Sequence, residues 1–309
     1  MAETYNTLAH LVQINDRNLA DLEVTDLLDD APLLKVLYTQ TASQNTVHKY
    51  LKQTVASAAA FRAALDGVTN AASQDQLVTV TLQILDGSFH ADVALADAYK
   101  DGRGAYLQKE MFRKMRQIFS TVEKQVIYGV GNDSAGFIGL HDGVLNNLSN
   151  AMVVAAGKAG STANSQTSVY FIRHGRDDVS LVLGNDGKIV VEDEPTIQRV
   201  AGSASGTFPA LYIPVTGYIG LQLGSAYSSA RIANVETALD DDDIAEALSL
   251  FPASRQPNVI VMNRKAAKLL RESRTATSPT GAPAPWVESC FNIPVIITDS
   301  VKSTEAVET

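Results

Sequence analysis

The chain has 309 residues, of which 45% are hydrophobic, 19% charged and 6% aromatic, a length with room for one large domain or two ordinary ones. Its 25 basic and 34 acidic residues leave a net charge of −9, which argues against a nucleic-acid-binding domain, because such domains neutralise phosphates with cations. A single cysteine, Cys290, excludes an internal disulfide framework and a multi-cysteine zinc site.

The first six residues show no basic segment, and no apolar run of a secretory signal follows them. No apolar stretch approaches the roughly 18 residues of a membrane span. The chain is therefore expected to be soluble and to act in a cytoplasm, with residues 303–309 as a frayed end.

Residues 1–37 space Leu8, Leu11, Val12, Leu19, Leu22, Leu27 and Leu28 among acidic and polar residues, which predicts short helices broken at Pro32. Nothing there could form a core alone, so the segment is expected to be an arm. Val47 to Thr54 alternates well enough for an exposed strand, and Val78 to Ile84 alternates cleanly with a β-rich composition. Few large apolar residues lie between them. Two such strands predict a long projecting hairpin that cannot be stable alone and wants a partner surface.

Between Gly104 and Gly129, Leu107, Met111, Phe112, Met115, Ile118, Phe119, Val122, Val126 and Ile127 recur at steps of three and four. This spacing predicts one uninterrupted helix over 105–128, roughly 36 Å long, with a single apolar stripe suited to lying across a sheet. The middle of the chain reads as β. Short strands are expected at 169–172 and 179–183. From 208 to 224 apolar residues take every second position, predicting one long strand bent by Pro209, Pro214 and the glycines. The last third has α/β texture: a helix from Asp243 to Leu250, a strand at 259–262, Asn263 as N-cap for a helix to Glu272, and a final strand at 293–297.

Candidate chemistry is sparse. The glycines of residues 129–136 follow a helix rather than opening one, and their spacing is not that of a dinucleotide fingerprint. The run Asp240-Asp241-Asp242-Asp243 lacks the spacers and turn glycine of a calcium loop and reads better as a dipole-compensating helix start. The five histidines, at 10, 48, 90, 141 and 174, show no metal-ligand spacing, and His174 with Asp177 and Asp178 reads as a turn. Cys290 reads as a packed thiol. No catalytic, metal or cofactor residue is assigned.

Several pieces in this order resemble a tailed-bacteriophage major capsid protein. They are Ala60-Phe61-Arg62 in the hairpin, the β segment 77–85, Asp92 to Asp97 leading into the long helix, and Gly131-Asn132-Asp133 with Gly136-Phe137-Ile138-Gly139-Leu140 after it. Further on come residues 169–175, Tyr218-Ile219-Gly220-Leu221, Ala230-Arg231-Ile232-Ala233-Asn234, Val261-Met262-Asn263-Arg264 and Ile293-Pro294-Val295. The likeness runs over roughly residues 15–300.

The resemblance implies the Johnson capsid fold, an α+β fold shared with herpesvirus capsids and encapsulins. Its parts would be an N-terminal arm (1–37), an extended β-hairpin loop (38–97), a peripheral domain with a long spine helix and sheet (98–150, with long strands at 191–235), and an α/β axial domain (236–309). The strands of 151–190 would belong to either the axial or the peripheral domain.

The resemblance also implies a non-enzymatic, structural protein that self-assembles as hexamers and pentamers into an icosahedral shell around double-stranded DNA, without sequence-specific binding. Subunit contacts would include Lys49, Lys52, Phe61 and Arg62. The implied partners are a scaffolding protein, a portal and a decoration protein, with no membrane, and the location is the virion capsid, assembled in the host bacterial cytoplasm. Two alternatives stay open at this level: an encapsulin-like nanocompartment shell, and an unrelated α+β enzyme.

Overall fold

The computed structural model describes residues 13–14, 17–18, 27–55, 59–67, 72–141, 152–158, 164–192, 194–202, 206–278 and 282–307. In chain order the first strands are β1 (Gln13–Ile14), β2 (Arg17–Asn18), β3 (Thr39–Thr41), β4 (Val47–Val55), β5 (Gln74–Thr81), β6 (Gln83–Asp86) and β7 (Phe89–Asp92). Helices α1 (Val93–Asp97) and α2 (Arg103–Tyr128) follow, then β8 (Val153–Lys158), β9 (Thr167–Ile172), β10 (Val179–Leu183), β11 (Lys188–Val191), β12 (Thr196–Ala201), β13 (Thr207–Ile213), β14 (Val215–Leu223) and β15 (Ser229–Val235). The remainder is α3 (Asp241–Ser249), β16 (Val259–Met262), α4 (Arg264–Ala276), β17 (Ser289–Cys290) and β18 (Ile293–Ile297).

Helix α2 is the single uninterrupted helix that the three-and-four spacing demands. It ends at Gly129, whose φ of 53° suits a glycine. The carbonyls of its last turn are then crossed by the returning chain: a Cβ on Gly139 would lie 2.3 Å from the Gly129 nitrogen and 2.6 Å from the Gln125 oxygen. Only glycine lets the backbone approach so closely, which explains the Phe137-Ile138-Gly139-Leu140 segment physically.

The main sheet has the order β2-β1-β11-β14-β10-β3, with β6 also pairing with β14. Nine-residue β14 is its centre: its first residues pair with β11, its last with β10, and Thr216 to Ile219 with β6. A second, six-stranded sheet runs β17-β18-β16-β9-β15-β8, and a small one runs β12-β13-β7. Helix α2 lays Met115, Ile118, Phe119, Val122 and Val126 against both large sheets, meeting Leu181, Val215, Ile219 and Leu221 of one and Tyr170, Ile172, Val259 and Val261 of the other. The opposite face of the six-stranded sheet buries Phe171, Ile232, Ile260 and Met262 under α3 and α4. A sheet covered on both faces is buried at every residue, as β9, β15 and β16 are, with polar residues such as Ser168 and Arg231 among the apolar ones.

Both late helices have side-chain caps. Asp240 and Asp243 accept each other's backbone N–H at 3.0 Å to open α3, and Asn263 accepts from the Ala266 nitrogen at 2.8 Å to open α4.

Four expectations need correction. The stretch 208–224 is two strands in two sheets: Ile213 pairs with Phe89 and Val215 with Val191, and Pro214, which has no N–H to donate, sits at the crossing. Within residues 1–37, the described parts form β1, β2 and a 3-10 turn at Pro32–Lys35 rather than short helices; the rest lies outside the described residues. The end of that segment is core, since Leu27, Leu28, Leu33, Leu34 and Leu37 are buried against α2. Residues 303–307 are not wholly frayed, because Glu305 is buried.

Candidate functional site

The projecting hairpin is β4 and β5, antiparallel in a continuous ladder from Val47↔Thr81 to Val55↔Gln74 with one irregularity near its far end. Period-two alternation sorts its residues. His48, Tyr50 and Lys52 share one face and turn to the main sheet. His48 Nε2 lies 2.8 Å from Gln222 Oε1, which also accepts from Gln40 Nε2 at 2.7 Å. The Tyr50 hydroxyl donates to the Leu223 carbonyl at 2.9 Å, and burial raises its pKa. Lys49 and Leu51 occupy the other, exposed face, where Leu51 stands opposite Leu77, also exposed.

At the root, β5 leaves its partner β4 and continues as β6 in the main sheet. Leu82 sits at the switch, buried, and its amide donates to the Thr46 carbonyl at 2.9 Å. Its methyls fill space left by two glycines: a Cβ on Gly220 would come within 2.6 Å of Leu82 Cδ2, and one on Gly184 within 2.9 Å of Cδ1.

Residues 59–67 at the tip are all exposed. Arg62 Nη1 donates to the Asp66 carbonyl at 3.3 Å. The four anticipated contact residues are thus not one cluster. Lys49 and Lys52 lie on opposite faces of β4, and Phe61 and Arg62 lie together at the tip. Lys52 lines a cleft of about 440 Å³ between the hairpin and the segment after α2, and partial burial lowers its pKa.

Two buried carboxylates tie distant segments together. Glu123 on α2 accepts from the Leu33 nitrogen at 2.9 Å and from the Thr298 hydroxyl, and desolvation raises its pKa despite those donors. Glu305 accepts from the hydroxyls of Tyr128 and Ser168 and faces Arg231 at 3.1 Å, with Arg231 only 1% exposed. Its backbone exchanges hydrogen bonds with Gln166. Burial, ahead of the neighbouring Tyr170 and Glu305, pushes the Tyr128 phenol far up. Sequence reasoning missed both acids. The shared face of His48 and Tyr50, by contrast, was readable from their spacing.

The other titratable candidates have structural settings. His174 exchanges two backbone hydrogen bonds with the Asn258 side chain, at 2.9 Å each, and burial holds its imidazole down at about 4. Asp178 accepts from Arg173 Nε at 2.7 Å and from the Ser228 hydroxyl at 3.0 Å. Asp241 grips Arg274 through both oxygens, and burial raises the pKa of Cys290, 3.2 Å from the same guanidinium. His141 lies 3.1 Å from the Tyr170 hydroxyl, while Asp142 lies outside the described residues. Among the described residues, no group of three or more His, Cys, Asp or Glu is placed to hold a metal, and no helix is long and apolar enough to cross a membrane.

The family model of the major capsid protein GP7 matches residues 16–308. No curated protein matches the sequence. A structure of bacteriophage Epsilon15 is similar to the chain with a TM-score of 0.63 at 19% identity, covering 89% of this chain and 88% of that one. The capsid of bacteriophage JBD30 gives 0.48 at 11% identity over 85% of this chain and 89% of that one. An encapsulin complex from Synechococcus elongatus gives 0.43 at 11% identity over 67% of this chain and 89% of that one.

Proposed function

The chain belongs to the major capsid protein GP7 family, and from that premise we propose how its shell is built. It is a structural capsid subunit with the α+β Johnson fold. The observation that carries the role is the family match across residues 16–308; the likeness to the Epsilon15 structure supports the fold.

In the proposed shell, hexamers and pentamers of this chain close an icosahedral container around double-stranded DNA. Residues 1–37 act as an arm whose end is anchored in the core by Leu27 to Leu37, and 38–97 as extended loop; 98–150 and 191–235 form the peripheral domain, 236–309 the axial domain, and the strands of 151–190 belong to one or the other. Lys49, Lys52, Phe61 and Arg62 make subunit contacts. A scaffolding protein, a portal and a decoration protein complete the particle, which assembles in the host bacterial cytoplasm. The net charge of −9 supports a wall that does not hold packaged DNA, leaving it free to move during filling and ejection. Many modest contacts repeated around closed symmetry supply stability without one tight pairwise site.

Negative-stain imaging and sedimentation of the purified protein test this. Closed particles of uniform diameter, containing DNA when taken from a producing host, are expected. A chain that stays monomeric at every concentration, with or without co-expressed scaffolding protein, overturns it.

A further inference from the structure

The small sheet β12-β13-β7 ends in an unguarded edge. β12 reads Thr196-Ile197-Gln198-Arg199-Val200-Ala201, exposed throughout except for half-buried Val200. Its register against β13 is unbroken. It has no proline, no lysine and no bulge, so it lacks the usual devices that keep an exposed edge from pairing. Among the described residues no strand lies beyond it. At the turn, the Gly202 amide donates to the Gly206 carbonyl at 2.9 Å, which fixes the alternation along the ladder. Thr196, Gln198 and Val200 aim their backbone groups at β13, and Ile197, Arg199 and Ala201 aim theirs outward.

An apolar row runs off the same edge. Ala91, Leu211 and Ile197 stand opposite one another across β7, β13 and β12. The first two are 4% and 1% exposed, whereas Ile197 is 64% exposed. Val93, Tyr106 and Leu107 of α1 and α2 pack over Ala91 and Leu211, and that cover stops one strand short. Row and backbone both call for another strand.

We propose that this strand is β12 of a second copy, antiparallel across a two-fold axis at Gln198, so that two small sheets become one continuous sheet. The contact rests on the shell-subunit reading and adds an interface to it. A closed icosahedral shell has two-fold axes, and a contact on such an axis must be complementary to itself. An axis at Arg199 would set two guanidiniums opposite each other. An axis at Ile197 would set Arg199 opposite Pro195, which has no N–H to donate. The axis at Gln198 pairs the outward groups of Ile197 with those of Arg199 in both directions. It also sets Thr196 opposite Val200, faces the two Gln198 amides and lays the Arg199 stem over Ile197. A strand pair this short buries well under the roughly 1,200–2,000 Å² of a stable interface. Free subunits therefore do not dimerise through it, and its effect comes from repetition around the shell.

Single cysteines test the pairing, because the native Cys290 is buried and a residue on the axis faces its own counterpart. Gln198→Cys, assembled and then mildly oxidised, is expected to run mostly as a dimer on non-reducing gels, with no higher species. Thr196→Cys lies about 13 Å along the strand from its counterpart in this register, at about 3.3 Å per residue, and should give less than a tenth of that dimer. Ile197→Pro removes only an outward N–H, so the free subunit should melt within a few degrees of the parent while particle yield falls about fivefold or more. Should Gln198→Cys not assemble alone, a 1:1 mixture with the parent chain reads the same contact as a weaker dimer band. Particles without the Gln198→Cys dimer, equal dimer from Thr196→Cys, a thiol linked to a different protein, or full particle yield from Ile197→Pro each overturn the pairing and leave the shell reading standing. A parent chain that forms no particles takes down both.

Discussion

Individual residues carry the sharpest energetic consequences in the buried interior. Arg231 is essentially without solvent and faces the Glu305 carboxylate. Removing one partner of a buried ion pair strands the other's charge, a loss of about 3–5 kcal/mol. Glu305→Ala should therefore lower the urea midpoint sharply, whereas Arg231→Met together with Glu305→Leu should recover much of it. Chemical denaturation of the single and double variants measures both. The imidazole of His174 provides a pH signature. Its folded value, about 4, lies below the ordinary 6.5 because burial disfavours the charged form. Between those values the unfolded chain binds a proton that the folded chain refuses. Stability then falls as pH drops through that window, by at most ~1.4 kcal/mol per pH unit for one proton. His174→Gln should flatten this part of the stability–pH curve, read from urea midpoints at pH 7, 6 and 5. Neither feature was legible in the sequence: Glu305 lies in a polar stretch with no periodicity, and its partners at 128, 168 and 231 are distant along the chain.

Secondary-structure elements were more legible, because their signals are local. The stripe from Leu107 to Ile127 has helical period, and residues 104–128 contain no proline and no interior glycine, so α2 followed directly. The hairpin strands followed from alternation and from the scarcity of large apolar residues between them. The split of 208–224 did not, because both halves alternate and only the pairing partners, β7 for one and β11, β10 and β6 for the other, separate them. Burial of Leu27 to Leu37 escaped for a similar reason: short apolar groups announce that something covers them, but not what. For α2 the expected outcome of Arg116→Pro is concrete. Arg116 is surface-facing, paired with Asp30 at 3.0 Å, so the cost comes from the broken backbone ladder, about 3 kcal/mol or more. Soluble subunit should be largely lost, whereas Arg116→Ala, which removes only the ion pair, should melt within a few degrees of the parent. Thermal melts and soluble yield check this.

At the scale of the whole molecule, the hairpin divides the chain into a part that stabilises itself and a part that waits for company. Helix α2 and the two large sheets share one core, while residues 59–67 touch little within their own subunit. Amide hydrogen exchange should accordingly be fast across 47–55 and 59–67 in free subunits and slow in assembled particles, with α2 protected in both states. Equal protection of the hairpin in the two states would contradict it. Arg62→Glu should leave the melting of the free subunit unchanged and depress particle yield, because a surface pair worth about 0–1 kcal/mol matters only when repeated in every copy. Light scattering against subunit concentration measures the shift.

The seat of Leu82 between Gly184 and Gly220 has a mechanical corollary. It pins the hairpin at its root, as do the His48 and Tyr50 hydrogen bonds, while the described ladder beyond Lys52 is held by the pairing of β4 with β5. A rotation of about 10° where that support ends swings the ladder's end at Val55, roughly 10 Å away at about 3.3 Å per residue, through about 2 Å, and anything farther out by more. A lever with a fixed fulcrum and a compliant far end lets one sequence meet neighbours across joints of different curvature, with the core unchanged from copy to copy.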